Sequence, residues 1–258
     1  MLNDIALQLA LFVAALVANL LSALAGGGAG LVQLPVLILL GLPFPLALAT
    51  HKVASVALGV GATLRHAQEK ALDWRFAVFI LACGLPGVVL GARVVLAVPA
   101  SICTLLLGLL TIGLGLYSMM TPALGNLSQP AHRNLTGLVI GGGVLFAIGF
   151  LNGSLTSGTG LFVTLWLVRW FGLDYSRAVA YTLILVGLFW NAAGAITLGT
   201  QGQIAWLWLP ALLAGSVAGG YLGAHLAIAK GNRFIRIFFL LVVMGTLIRF
   251  SYDVFWKP

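Results

Sequence analysis

Long apolar runs, broken by short stretches that carry charge, Pro or Gly, make up nearly all of this chain. With those breaks as punctuation, the pattern predicts helices near 5–25, 31–41, 46–65, 76–97, 101–121, 135–155, 160–171, 177–199, 204–228 and 234–254. A helix rises about 1.5 Å per residue and a bilayer core is about 30 Å thick, so a span needs about 20 residues. The runs 31–41 and 160–171 are too short to cross as straight helices and read as half-helices or re-entrant arms.

Composition supports the same class. Apolar residues are 61% of the chain and charged residues 7%, far from the roughly 25% charge of soluble domains. The expected fold is therefore an all-α integral membrane protein, multi-pass, with the lipid bilayer as its surroundings. The net charge of +8 does not point to nucleic acid, because the basic residues lie in short loops between apolar runs. The first run is expected to remain as a helix: Met1 to Asp4 lack Lys and Arg, and the run outlasts a signal-peptide core. Cys83 and Cys103 fall inside apolar runs and read as inert small hydrophobes, and neither a metal nor a cofactor is expected.

With every segment crossing and the N-terminus outside, Arg65, Lys70, Arg75, Arg133, Arg169, Arg177, Lys230, Arg233 and Arg236 share one side. The positive-inside bias makes that side cytoplasmic. Lys52, Arg93, Arg249 and Lys257 remain on the other.

The sequence also repeats. A shift of about 130 residues lays Gly28-Ala-Gly30-Leu31 on Gly158-Thr-Gly160-Leu161, and slightly larger shifts set His51 on Thr182, Gly84 on Gly215 and Gly87 on Gly219. The chain divides into a first repeat over 1–121, a cytoplasmic linker over 122–134 and a second repeat over 135–258. Each copy has about five segments, an odd number, so the second copy enters the membrane upside down. Inverted repeats of this kind are typical of transporters that bind substrate near the midplane between the copies.

Candidate chemistry centres on two glycine-rich breaks. "AGGGAG" spans 25–30, and "NGSLTSGTG" spans 152–160. A helix starting at such a break exposes unpaired N–H groups and the positive end of its dipole, and glycine allows a ligand close to the backbone. The other use of such glycines is close helix packing, which suits Gly87-xxx-Gly91 and Gly215-xxx-Gly219-xxx-Gly223. The matched pair of breaks points to an anion site built from Gly27, Gly28, Gly30, Gln33, Asn152, Ser157, Gly158, Thr159 and Gly160.

Asp4, Glu69, Asp73, Asp174 and Asp253 all fall in loops or at segment ends, which leaves no carboxylate for a cation within the membrane. Lys52 lies inside a predicted helix, either attracting substrate or snorkelling outward. His51 either titrates or serves as a hydrogen-bonded structural residue. Asn191 is a substrate contact or an interhelical hydrogen bond. Arg93 and His225 read as anchors at helix ends.

The stretches "AGGGAGLVQLPVLILLGLPFPLALATHK", "GLPGVVLGA" and "GFLNGSLTSGTG" resemble the TauE/SafE (TSUP) family of sulfite and organosulfonate exporters, over nearly the whole chain. That resemblance implies export of sulfur-containing oxyanions, such as sulfite or small organosulfonates, across a bacterial inner membrane. The rival classes are a non-transporting membrane scaffold, a transporter of a different small anion, and a membrane enzyme, for which the scattered histidines are a poor match. Export can be driven by membrane potential or coupled to protons through His51. The sequence leaves a homodimer open.

Overall fold

The computed structural model describes residues 2–66, 72–99, 102, 129–156, 158–201, 204–231, 234, 237 and 241. The expected helix at 101–121, nearly all of that at 234–254, most of the linker, Cys103 and Ser157 lie outside the described residues. The helices are α1 (Leu2–Ala25), α2 (Ala29–Leu39), α3 (Phe44–His66), α4 (Trp74–Val94), α5 (Leu135–Ser154) and α6 (Thr159–Arg169). They are followed by α7 (Tyr175–Tyr181), a π-helix (Thr182–Trp190), α8 (Asn191–Gln201) and α9 (Leu209–Lys230). Among the described residues, 6 helical stretches are long and apolar enough to cross a membrane, while α2 and α6 are shorter.

Local chemistry sets several helix starts. Asp73, Asn134 and Asp174 each cap a first turn, their side chains accepting from the N–H of Arg75, Gly137 and Arg177. Pro210 is the second residue of α9, in the first turn, where a missing N–H costs nothing. Two of the five acidic residues thus serve as caps at helix ends, as the sequence pattern suggested.

The lipid-facing surface is explicit in α1. Ile5, Leu9, Val13 and Val17, spaced four apart, are 60%, 63%, 48% and 47% exposed. Such a continuous apolar stripe suits hydrocarbon rather than water. By contrast, α3 is the most deeply enclosed span and contains Thr50, His51, Lys52 and Ser55, all buried.

Small residues set the helix contacts. Gly215, Gly219 and Gly223 of α9 rest on the backbone of Phe12, Leu16 and Leu20 of α1, so the two helices run in the same direction. Gly87 and Gly91 of α4 rest likewise on Phe146 and Phe150 of α5, again with both chains advancing together. Gly61 meets Val217 and Arg65 donates to His225 Nδ1 at 3.1 Å, which aligns α3 with α9. Gly59 meets Gly187 while Lys52 reaches Asn191, so α3 opposes the π-helix and α8. Tyr181 bonds to the backbone of Asp73, and Trp190 stacks against Gly84, so α4 runs with α7 and the π-helix. Thus α1, α3 and α9 point one way, and α4, α5 and the stretch from α7 to α8 point the other.

One element departs from expectation. The run at 177–199 is predicted as a regular helix, yet nine of its residues, Thr182–Trp190, wind as a π-helix. At about 3.6 residues per turn, Thr182 and Asn191 would lie on opposite faces. The wider π turns bring both to the interior, a use often seen at functional sites.

Candidate anion-binding site

Three consecutive glycines break the chain between α1 and α2: Gly26, Gly27 and Gly28 have φ of 79°, 136° and 100°. These values favour residues without a Cβ. Gly28 then caps α2 in the left-handed conformation, and Gly158, with φ of 75°, caps α6 in the same way. The two breaks meet. A Cβ on Gly27 would lie 2.5 Å from the Gly160 carbonyl carbon and 2.6 Å from its Cα. Thr164 Oγ1 joins them by donating to the Gly26 carbonyl at 2.6 Å, and it lies 2.9 Å from Thr182 Oγ1. The two breaks thus pack closely against each other, the first of the two uses of such glycines.

Beside this contact is a cavity of about 30 Å³, lined by both helix starts and by Ser22, His51, Ser55, Asn152, Thr156, Thr182 and Asn191. That volume suits about two water molecules. The first-turn N–H groups of a helix lack intrahelical partners and carry partial positive charge, so two such ends at one cavity favour a negative occupant. Ser22 Oγ is buried and, among the described residues, unpartnered.

Lys52 lies just behind the lining and is wholly buried. Its Nζ donates to the Asn152 carbonyl at 2.6 Å, Asn152 Oδ1 at 2.7 Å and Asn191 Oδ1 at 3.1 Å. Three neutral oxygens meet the three N–H donors of the ammonium, with no carboxylate among them. Snorkelling is excluded by this geometry. Because both amide oxygens are engaged by Lys52, the NH₂ groups are the other ends of Asn152 and Asn191; one donates to Thr159 Oγ1 at 2.9 Å, the other to the Gly187 carbonyl at 3.3 Å.

A second polar chain runs through His51. Asn19 Nδ2 donates to the Ala15 carbonyl at 2.7 Å and to Ser216 Oγ at 2.9 Å, and lies 3.5 Å from Gln33 Oε1. Gln33 Oε1 is 2.9 Å from His51 Nδ1, and His51 Nε2 is 3.2 Å from Ser55 Oγ.

Of the residues singled out in the sequence, Gly27, Gly28, Gly30, His51, Asn152, Thr159, Gly160 and Asn191 line the cavity. Gln33 and Lys52 stand behind it, each bonded to a lining residue. Gly158 is the cap of α6. Ser22, Ser55, Thr156 and Thr182 are additional lining residues, and Asn19, Thr164 and Ser216 support the site through hydrogen bonds. Signals for two of them exist: Ser22 falls on Asn152 in the 130-residue shift, and Ser55 lies one helical turn beyond His51.

A larger cavity of about 1110 Å³ lies among the described residues at the end of the bundle carrying Arg133 and Arg177, and it includes His66, Asp73 and Tyr181 in its lining. Its edge at Tyr181 and Ile184 adjoins Thr182 and Leu183 of the small cavity. Arg133 lies 3.7 Å over the Phe76 ring, and partial burial lowers its guanidinium from the ordinary arginine range. Arg93 is exposed near the end of α4, and His225 is exposed beside Arg65.

Residues 11–250 match the family described as Sulfite exporter TauE/SafE. A probable membrane transporter protein of Haemophilus influenzae is 30% identical over 246 residues, covering 95% of each chain. Probable membrane transporter protein ORF9 of Sinorhizobium sp is 29% identical over 98% of this chain and 96% of its own. Probable membrane transporter protein YfcA of Escherichia coli K12 is 28% identical over 94% and 89%. No solved structure matches. The chain belongs to the TauE/SafE family of membrane transporters.

Proposed function

We propose that this member of the TauE/SafE family exports sulfite or small organosulfonates across the bacterial inner membrane, binding them between its two glycine breaks. The observation that carries this reading is the meeting of the two glycine breaks at Gly27 and Gly160 beside a polar cavity backed by the fully buried Lys52, each break leading into a short helix capped by a left-handed glycine. Helix starts and an ammonium without a carboxylate partner favour an oxyanion over a cation or a neutral solute. Gly27, Gly28, Gly30, Asn152, Thr159, Gly160 and Asn191 supply the backbone and amide groups nearest the anion, with Ser157 and Gly158 completing the second break. Gln33, His51 and Lys52 set its electrostatics.

The two halves act as inverted repeats. Support comes from helix direction: α1, α3 and α9 oppose α5, the π-helical span and α4, their partners in the sequence shift. In such a fold, movement of one half against the other exposes a midplane site to alternate faces. The large cavity by Arg133 and Arg177 is the cytoplasmic approach. With the cytoplasm negative, exit of an anion is favoured by about 2.3 kcal/mol per charge per 100 mV.

The test is release of radiolabelled sulfite from proteoliposomes. Release above that of empty liposomes, competed by methanesulfonate, supports the reading. Retention of sulfite with an imposed potential of either sign would sink it.

A further inference from the structure

We propose that His51 Nε2 is a proton-binding site coupled to the anion site, so that one proton binds together with the anion. This deepens the anion reading above and rests on it.

The partners of the two ring nitrogens differ: Nδ1 faces Gln33 and Nε2 faces Ser55. The Ala15 carbonyl accepts from Asn19, so the amide nitrogen of Asn19 faces Ser216 and Gln33. Gln33 Oε1 lies 3.5 Å from this nitrogen and 2.9 Å from His51 Nδ1, an orientation in which Gln33 Nε2 is buried without a partner among the described residues. An amide oxygen only accepts, so Nδ1 carries a hydrogen in both forms of the ring. The proton is gained or lost at Nε2, which lies 3.2 Å from Ser55 Oγ. His51 and Ser55 both line the small cavity.

The state of His51 then sets the polarity of Ser55. With Nε2 bare, the serine O–H donates to the ring and only its lone pairs remain for the cavity, where they repel an anion. With Nε2 protonated, the ring donates to Ser55 Oγ, and the serine O–H is released to donate to the anion. One proton, taken up from bulk solvent, adds positive charge and converts an acceptor into a donor.

Charge balance makes the coupling strong. Lys52, the next residue, is the charged side chain beside His51 among the described residues. From the elements packed around it come neutral groups: Asn19 and Ser22 of α1, Gln33 of α2, Asn191 of α8 and Ser216 of α9. Burial, and then repulsion by Lys52, disfavour a second cation in the empty site, and an anion in the cavity offsets the repulsion. Linkage requires the reverse as well: protonation tightens the anion by the factor by which the anion tightens the proton.

Methanesulfonate is the probe, since its own charge is constant across physiological pH. Binding to purified protein is measured by calorimetry in two buffers of different ionisation enthalpy, which counts protons taken up. Uptake approaching one proton per anion is expected, with affinity falling about tenfold per pH unit over the range where free His51 is deprotonated. His51→Gln should bind methanesulfonate with no pH dependence and no uptake. Ser55→Ala, the milder change, should keep the uptake and bind about tenfold more weakly. Binding by the wild type without proton uptake would overturn the coupling and leave the anion site standing. Unchanged affinity in Ser55→Ala would overturn the hydroxyl's part in it, including where His51→Gln does not fold. If sulfite alone binds, the same count applies after subtracting protons carried by sulfite in buffer. Absence of binding by either anion overturns both readings.

Discussion

Gly27 and Gly160 lie backbone against backbone at the meeting point of the two chain breaks, where a Cβ on Gly27 would fall 2.5 Å from the Gly160 carbonyl carbon. Gly41 provides a natural comparison, with φ of 102° but nothing within 4 Å of an added Cβ. Gly41→Ala should cost about 1–2 kcal/mol from backbone strain alone. Gly27→Ala should cost that strain plus about 1–3 kcal/mol of overpacking. Thermal unfolding in detergent checks the order, and equal losses would mean that the breaks do not touch.

Gly28→Ala and Gly158→Ala address the anion directly. Both residues cap short helices with positive φ, so each variant should insert yet bind sulfite more weakly. The measurement is sulfite-dependent stabilisation, which scales as RT ln(1 + [L]/Kd). Wild-type stabilisation in both variants would move the site elsewhere.

Lys52→Met should remove anion binding and also destabilise the fold. Its loss strands three acceptors on Asn152 and Asn191, at about 1–3 kcal/mol for each group left unsatisfied. Arg93→Ala, at an exposed position, should remain within about 0.5 kcal/mol of wild type and retain binding. Comparable binding loss in the two variants, measured per folded molecule, would argue against a central role for Lys52.

Packing glycines should behave differently from those at the site. Gly87→Ala drives a methyl into the Phe146 backbone, whereas Gly143 in α5 has nothing within 4 Å of an added Cβ. Gly87→Ala is expected to lower the unfolding temperature, and Gly143→Ala to raise it through about 1 kcal/mol of helix propensity. The reverse order would break the assigned α4–α5 contact.

Orientation is testable on a single helix. Leu207, just before α9, is 85% exposed, and Lys230 ends that helix. Cysteines at the two positions should label from opposite faces, Lys230→Cys from the cytoplasm and Leu207→Cys from the periplasm. Labelling from one common face would exclude α9 as a span.

Hydrophobic run length and the charge-bearing breaks determined the helices, because a bilayer imposes a local rule that each span must satisfy on its own. The same reading found the short α2 and α6, both glycine caps and eight of the residues that line the cavity. It did not find the π-helix. Its consequence, bringing Thr182 and Asn191 to one interior side, arises from a winding that α-helical spacing does not encode. Nor did local pattern choose between an outward and a buried Lys52. Its three acceptors come from α5 and α8, helices remote in the chain, so only packing of spans against one another decided its place. Sequence by itself determined which residues were polar within the membrane; tertiary structure decided which of them faced one another, because polar groups shut away from water must find partners wherever the packed helices bring them.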